Sequence, residues 1–241
     1  MRTIKKVASH IFIDGFGGMT QGLFATLIIG TMIQQIGLLI GGSTGNVIYL
    51  LGKAAAALTS AGIGVGVAVK YGESPLVTVS AAVAAMVGGY AGKITGGTFF
   101  VDGNAVLAGP GEPLGAFIAA FAGITCGHLV SGKTKVDIIV TPVITIGAGS
   151  VVGLLVGPPI SQMMTGLGSI INWATEQRPF IMGIVVSVVM GMVLTLPISS
   201  AALGIILNLS GLAAGAATIG CCCNMVGFAV ASYRENKVGG L

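Results

Sequence analysis

GGTFFVDGNAVLAGPGEPLG, Gly96–Gly115, lies between apolar runs and decides how the rest of the chain is read. Pro110 and Pro113 remove backbone donors and push the residues before them out of helical geometry, so one regular helix cannot run through the stretch. It also carries Asp102, Asn104 and Glu112. Irregular backbone bearing carboxylates at membrane depth is tolerated only where it is buried in protein or lines a wet cavity. The stretch is therefore expected to build a site for a polar ligand.

The apolar surroundings are not those of a soluble chain. Of 241 residues 54% are hydrophobic and 7% charged, with a mean hydropathy of +1.00. That composition predicts an all-α polytopic membrane protein. The 41 glycines are spread through the apolar runs, as expected where helix backbones approach closely without a hydrophobic force between them. A net charge of +4 with no basic block gives no case for nucleic acid. Cys126 and the run Cys221, Cys222, Cys223 are too few and badly placed for a disulfide framework. Neighbouring helical residues point about 100° apart, so the run does not suit a metal and reads as small packing residues. The GIGVG string at Gly62 continues a span and does not join a strand to a helix, so no nucleotide loop is expected. No hydrolase triad, metal cluster or cofactor is predicted.

About seven crossings follow from the apolar lengths. They cover about Thr20–Gly41, Asn46–Val69 (with Lys53 snorkelling near its start), Leu76–Ala91, Leu114–Val130, Val136–Val156, Phe180–Leu196 and Ser200–Ser232. Pro75 suits the start of the third, and Gly157-Pro158-Pro159 reads as the end of the fifth. Two amphipathic stretches are expected to lie in the interface. One is the N-terminus, with Ile4, Val7, Ile11 and Phe12 at helical spacing. The other is SQMMTGLGSIINWATEQRP, with Trp173 and Arg178 at one end. The N-terminus lacks the apolar core of a signal peptide.

A shift of 161 residues sets GLFATLIIG from Gly22 over GIVVSVVMG from Gly183, and Val65-Gly-Val-Ala-Val over Val226-Gly-Phe-Ala-Val. KYGES and SYREN then nearly coincide. Residues 1–160 thus read as a first repeat of five crossings and 161–241 as the start of a second. An odd number of crossings inverts the second copy, the plan of many secondary transporters. Arg2, Lys5, Lys6, Lys70, Lys133 and Lys135 favour a cytoplasmic N-terminus. Because Leu241 aligns with Ser80, the expectation is a chain cut short, from a parent of about 320 to 340 residues and about ten crossings. The alternative is a self-sufficient seven-span protein, or one that completes its site by dimerising.

Three strings carry a resemblance: GEPLGAFIAAFAG (Gly111–Gly123), SGKTKVDIIVTPVITIGAG (Ser131–Gly149) and MVGFAVASYRENKVGGL (Met225–Leu241). With them the chain resembles the membrane-embedded IIC components of the phosphoenolpyruvate-dependent sugar phosphotransferase system, in the branch with regulators of the perfringolysin O regulator type. The resemblance implies a multi-pass protein of the bacterial inner membrane that takes up a carbohydrate-like solute and forms a homodimer. It also implies a chain continuing past the SYREN string. Phosphate, if transferred, would come from separate phosphocarrier proteins, since the cysteines lie in spans and His10 and His128 sit beside them.

Sugar hydroxyls are held by paired donors and acceptors, with apolar surface against the ring. Asp102, Asn104 and Glu112, near Phe99 and Phe100, supply such a set. Asn224, inside an apolar run, is a further candidate ligand, though interhelical hydrogen bonding is its default role, as it is for Asn208, Gln34 and Gln35. Glu112 would bind hydroxyls and, in phosphoryl transfer, accept the proton of the attacked hydroxyl. Its other reading is a carboxylate at the N-terminus of the fourth span, favoured by the helix dipole. Asp102 reads equally as a turn residue, His128 as structural and Asp137 as part of a loop charge network. The functional expectation is a transporter subunit for a small polar solute. The alternatives are a non-transporting membrane regulator or sensor, and an ion-coupled carrier.

Overall fold

The structure is a computed structural model and describes residues 14–101, 104–107, 109–193, 209 and 211–236. It separates into two compact units, Met1–Gln162 and Met163–Leu241. The expected N-terminal amphipathic helix falls on residues 1–13, outside the described residues.

In the first unit, α1 (Phe16–Ile40) contains one π-helical turn, Phe24–Ile28. It ends at Gly41, whose φ of 65° suits a residue without Cβ. The chain then returns as α2 (Gly42–Ala57) and α3 (Thr59–Lys70), which pack along α1. Glycine makes this contact possible: a Cβ on Gly22 would lie 2.3 Å from the Gly62 carbonyl oxygen. A single straight second span was expected, but α2 and α3 are bent by 52° at Leu58. Beside the break, the Thr59 hydroxyl donates to Ala56 O at 2.6 Å, a back-bond of the kind that bends helices.

The predicted Pro75 start is found in α4 (Pro75–Gly89), where the Ser74 hydroxyl accepts from Val77 N. After Tyr90 comes the short α5 (Ala91–Thr95), then a two-stranded hairpin of β1 (Phe100–Val101) and β2 (Asn104–Ala105). The pairing is antiparallel, Phe100 with Ala105 and Val101 with Asn104. The stretch Gly96–Gly115 is therefore broken, as expected, and part of it satisfies its backbone by strand pairing. α6 (Pro113–Val130) packs against α3 and α4, and α7 (Asp137–Gln177) follows. Small residues fill the core between them, with Ala81, Ala84, Ala85, Ala116, Ala119 and Ala120 all buried.

The fifth span was expected to stop at Gly157-Pro158-Pro159 and a separate surface helix to begin at Ser161. Instead α7 continues through both prolines to Gln177. Each proline removes only its own N–H and crowds one carbonyl a turn back, a local cost that helices in a membrane protein can absorb. In the second unit, α8 (Pro179–Val193) packs against α9 (Gly211–Asn236) around Val186, Met190 and Ala217.

Among the described residues, four helices are long and apolar enough to cross a membrane: Phe16–Ile40, Pro113–Val130, Asp137–Met163 and Gly211–Ala231. The bent pair α2 and α3 makes a fifth when counted as one span, and Pro75–Gly89 and Pro179–Met192 are apolar but shorter. Large apolar side chains such as Leu39 and Phe180, 86% and 81% exposed, face outward. Such surfaces suit contact with lipid.

Candidate functional site

Three interruptions of helical backbone meet in the first unit: the break at Leu58, the end of α4 at Gly89 and Tyr90, and the Gly109–Glu112 turn. Each exposes carbonyls that a continuous helix would have satisfied. Ser60, fully buried in the first turn of α3, donates its hydroxyl to Pro110 O at 3.0 Å. Tyr90, only 1% exposed, places its hydroxyl within hydrogen-bonding distance of both Ala57 O and Gly109 O. Glu112 N donates to Gly89 O at 2.6 Å. Gly111, at φ 75°, fits where a Cβ would lie 2.5 Å from the Ser60 Oγ. The turn is thus stitched to α3 and α4 by side chains far away in sequence.

This stitching leaves the Glu112 side chain half-buried. Glu112 occupies the N-terminal position of α6, yet its side chain makes no hydrogen bond to the first turn. Its Oε1 is buried with no hydrogen-bond partner among the described residues. The helix dipole still favours a negative charge there, but a carboxylate oxygen left unpaired is costly to bury. A bound ligand with hydroxyl donors would remove that cost.

The other predicted ligands are placed differently. Asp102 lies outside the described residues, as do His10 and Asn208. Asn104 is exposed on β2. Phe99 packs against Tyr90 with ring centres 5.3 Å apart. Asn224 belongs to α9 in the second unit, where its Nδ2 is buried with no hydrogen-bond partner among the described residues. His128 pairs with Glu73 at 3.0 Å. Asp137 accepts from Thr141 Oγ1 at 2.6 Å and from Gly132 N at 3.0 Å, closing the loop before α7.

Sequence reading missed Ser60 and Tyr90, because both sit inside smooth apolar runs with no proline to announce a break. Lys93 lines a cavity of about 380 Å³ with Thr95, Thr98, Pro158, Ser161 and Gln162. Among the described residues, no three His, Cys, Asp or Glu side chains converge as metal ligands would.

Tyr90→Phe is expected to leave Ala57 O and Gly109 O without their side-chain donor. That should lower stability by about 1–2 kcal/mol. Thermal unfolding of purified protein in detergent reads the loss, and an unchanged midpoint would show that the hydroxyl does not hold the turn.

Glycine-mediated packing, apolar outer faces and a buried carboxylate on interrupted backbone define a multi-pass helical membrane protein of the transporter class. Residues 13–241 match the family described as Phosphotransferase system, EIIC, and the chain belongs to that family. It is accordingly a membrane transporter subunit of the phosphotransferase system, and membership implies a carbohydrate solute and phosphotransferase partners in general terms. No curated protein and no solved structure matches the chain.

Proposed function

We propose that the protein carries a small sugar across the bacterial inner membrane by alternating access, with Glu112 as the ligand of its hydroxyls. The observation that supports this most directly is the buried Glu112 Oε1, without a hydrogen-bond partner among the described residues, on a turn held by α3 and α4. An ionised carboxylate accepts hydrogen bonds at both oxygens, which matches adjacent sugar hydroxyls. When a phosphorylated partner protein delivers phosphate to the bound sugar, Glu112 takes the proton from the attacking hydroxyl. Asp102 and Asn104 are proposed as further contacts to the sugar.

The proposal includes the duplication and a homodimer. Within the first unit, Gly30 of α1 meets Gly52 and Ala56 of α2, and within the second, Gly191 of α8 meets Gly220 of α9. Under the shift of 161, Gly191 falls on Gly30 and Gly220 on Thr59, about one helical turn from Ala56 and two from Gly52. That similarity of register supports a common origin.

Uptake of labelled sugars into vesicles, with and without phosphorylated carrier proteins, tests the function. Accumulation that requires the phosphorylated carriers is expected. Accumulation driven by a proton or sodium gradient would make the protein an ion-coupled carrier, and binding without accumulation would make it a sensor.

A further inference from the structure

Glu112 owes its position to its backbone more than to its side chain. The carboxylate makes no hydrogen bond to the first turn of α6, and its Oε1 has no hydrogen-bond partner among the described residues. The turn that carries it has little conformational preference of its own. Pro110 is flanked by Gly109 at φ 81° and Gly111 at φ 75°, and glycine takes up either hand of φ about equally. The restraint comes from outside the turn. Gly111 joins two peptide groups, and each is pinned to a different helix. On one side Ser60 Oγ of α3 donates to Pro110 O at 3.0 Å, and on the other Glu112 N donates to Gly89 O at the end of α4, at 2.6 Å.

Ser60 is an unusual choice for such a bond. A hydroxyl in a helix commonly turns back on its own backbone, as the neighbouring Thr59 does on Ala56 O. Ser60 instead reaches a residue 50 positions away. It is fully buried, and a Cβ on Gly89 or Gly111 would lie 2.2 Å or 2.5 Å from its Oγ, so both glycines make room for that one hydroxyl. We infer that Ser60 is a positioning residue for Glu112: its hydroxyl fixes the peptide before Gly111, so that the carboxylate meets the sugar hydroxyls in a single geometry. The inference rests on the reading of Glu112 as the sugar ligand and adds to it a residue that acts through Glu112. Without the hydroxyl, Pro110 O loses its donor, and of the two peptides around Gly111 the one tied to Gly89 O alone stays fixed.

A double-mutant cycle on the full chain in phosphatidylcholine nanodiscs tests this, with calorimetric titration of glucose, mannitol and maltose and the tightest binder as probe. Ser60→Ala is expected to weaken that sugar about 3- to 10-fold. In a Glu112→Gln background the same change should cost under about twofold, because the group it positions is gone. Ser80→Ala removes a buried hydroxyl bonded within its own helix, to Leu76 O, and should leave affinity unchanged. A second readout needs no sugar. A water-soluble carbodiimide with glycine ethyl ester should label Glu112 about threefold or more faster in Ser60→Ala than in wild type, read by peptide mass spectrometry below the unfolding midpoint. Normal sugar affinity in Glu112→Gln would overturn the reading of Glu112 itself. Weakened binding in Glu112→Gln with normal binding in Ser60→Ala, or with equal losses from Ser60→Ala in both backgrounds, would leave that reading standing and overturn the role of Ser60. Unchanged labelling in Ser60→Ala would overturn it as well. Should Ser60→Ala fail to assemble, Ser60→Cys keeps the shape with a weaker donor. It is expected to move both readouts in the same directions, and wild-type values in both would overturn the inference.

Discussion

Glu112→Gln is expected to lower sugar affinity by about 10- to 100-fold while leaving the protein as stable as before, or slightly more so. The factor follows from replacing a charged acceptor by a neutral one, since hydrogen bonds to ionised groups contribute about 1.5–3 kcal/mol. The stability side follows from the surroundings. Glu112 Oε1 is buried without a partner among the described residues, and its side chain makes no capping bond. An amide of nearly the same shape removes the cost of burying charge and loses only the interaction with the helix dipole. If phosphoryl transfer uses Glu112 as base, transport should fall further, by about 10²- to 10⁴-fold. Equilibrium binding, vesicle uptake and thermal unfolding on the same variant check the prediction. A lower unfolding midpoint with normal binding would return Glu112 to the role of a helix-terminal charge.

The dissociation matters because Glu112 could be found in the sequence while its environment could not. Pro110, Gly111 and Pro113 cluster where a helix must fail, so the broken stretch announces itself. Ser74 before Pro75 likewise marks a helix start, and α4 begins there. The break at Leu58 leaves no such mark. Ala-Ala-Ala-Leu-Thr-Ser-Ala-Gly reads as uninterrupted apolar helix, and the bend becomes meaningful only because Tyr90 and the Gly109–Glu112 turn pack against it. Ser60 and Pro110 are 50 residues apart, beyond the reach of any local pattern. Pro158 and Pro159 mislead in the opposite sense, since the strongest local breaker fails to end α7. Local chemistry sets where backbone groups are lost, and tertiary packing decides whether neighbours can replace them.

Gly88→Val should be strongly damaging, and its effect should reach Glu112 without touching it. Gly88 sits where α4, α6 and α7 cross. A Cβ there would lie 2.4 Å from the Ala119 Cβ and 2.5 Å from the Gly115 carbonyl oxygen, and one on Gly153 would lie 2.8 Å from the Gly88 Cα. The Gly115 contact is to backbone, so no side-chain rotation relieves it, and the helices must separate. Overpacking in a core costs about 1–3 kcal/mol where side chains can yield, and a backbone contact should exceed that range. Separation would act first on the next residue, because Gly89 O accepts the Glu112 N–H and a Cβ on Gly89 would lie 2.2 Å from Ser60 Oγ. Gly88→Val is therefore expected to lower the unfolding midpoint and to weaken sugar binding together, in contrast to Glu112→Gln, which separates the two. Gly88→Ala should show the same paired loss to a smaller degree. Wild-type stability in Gly88→Val would mean that α4 and α6 are not in backbone contact beneath the turn, and the burial of Glu112 would then need another cause.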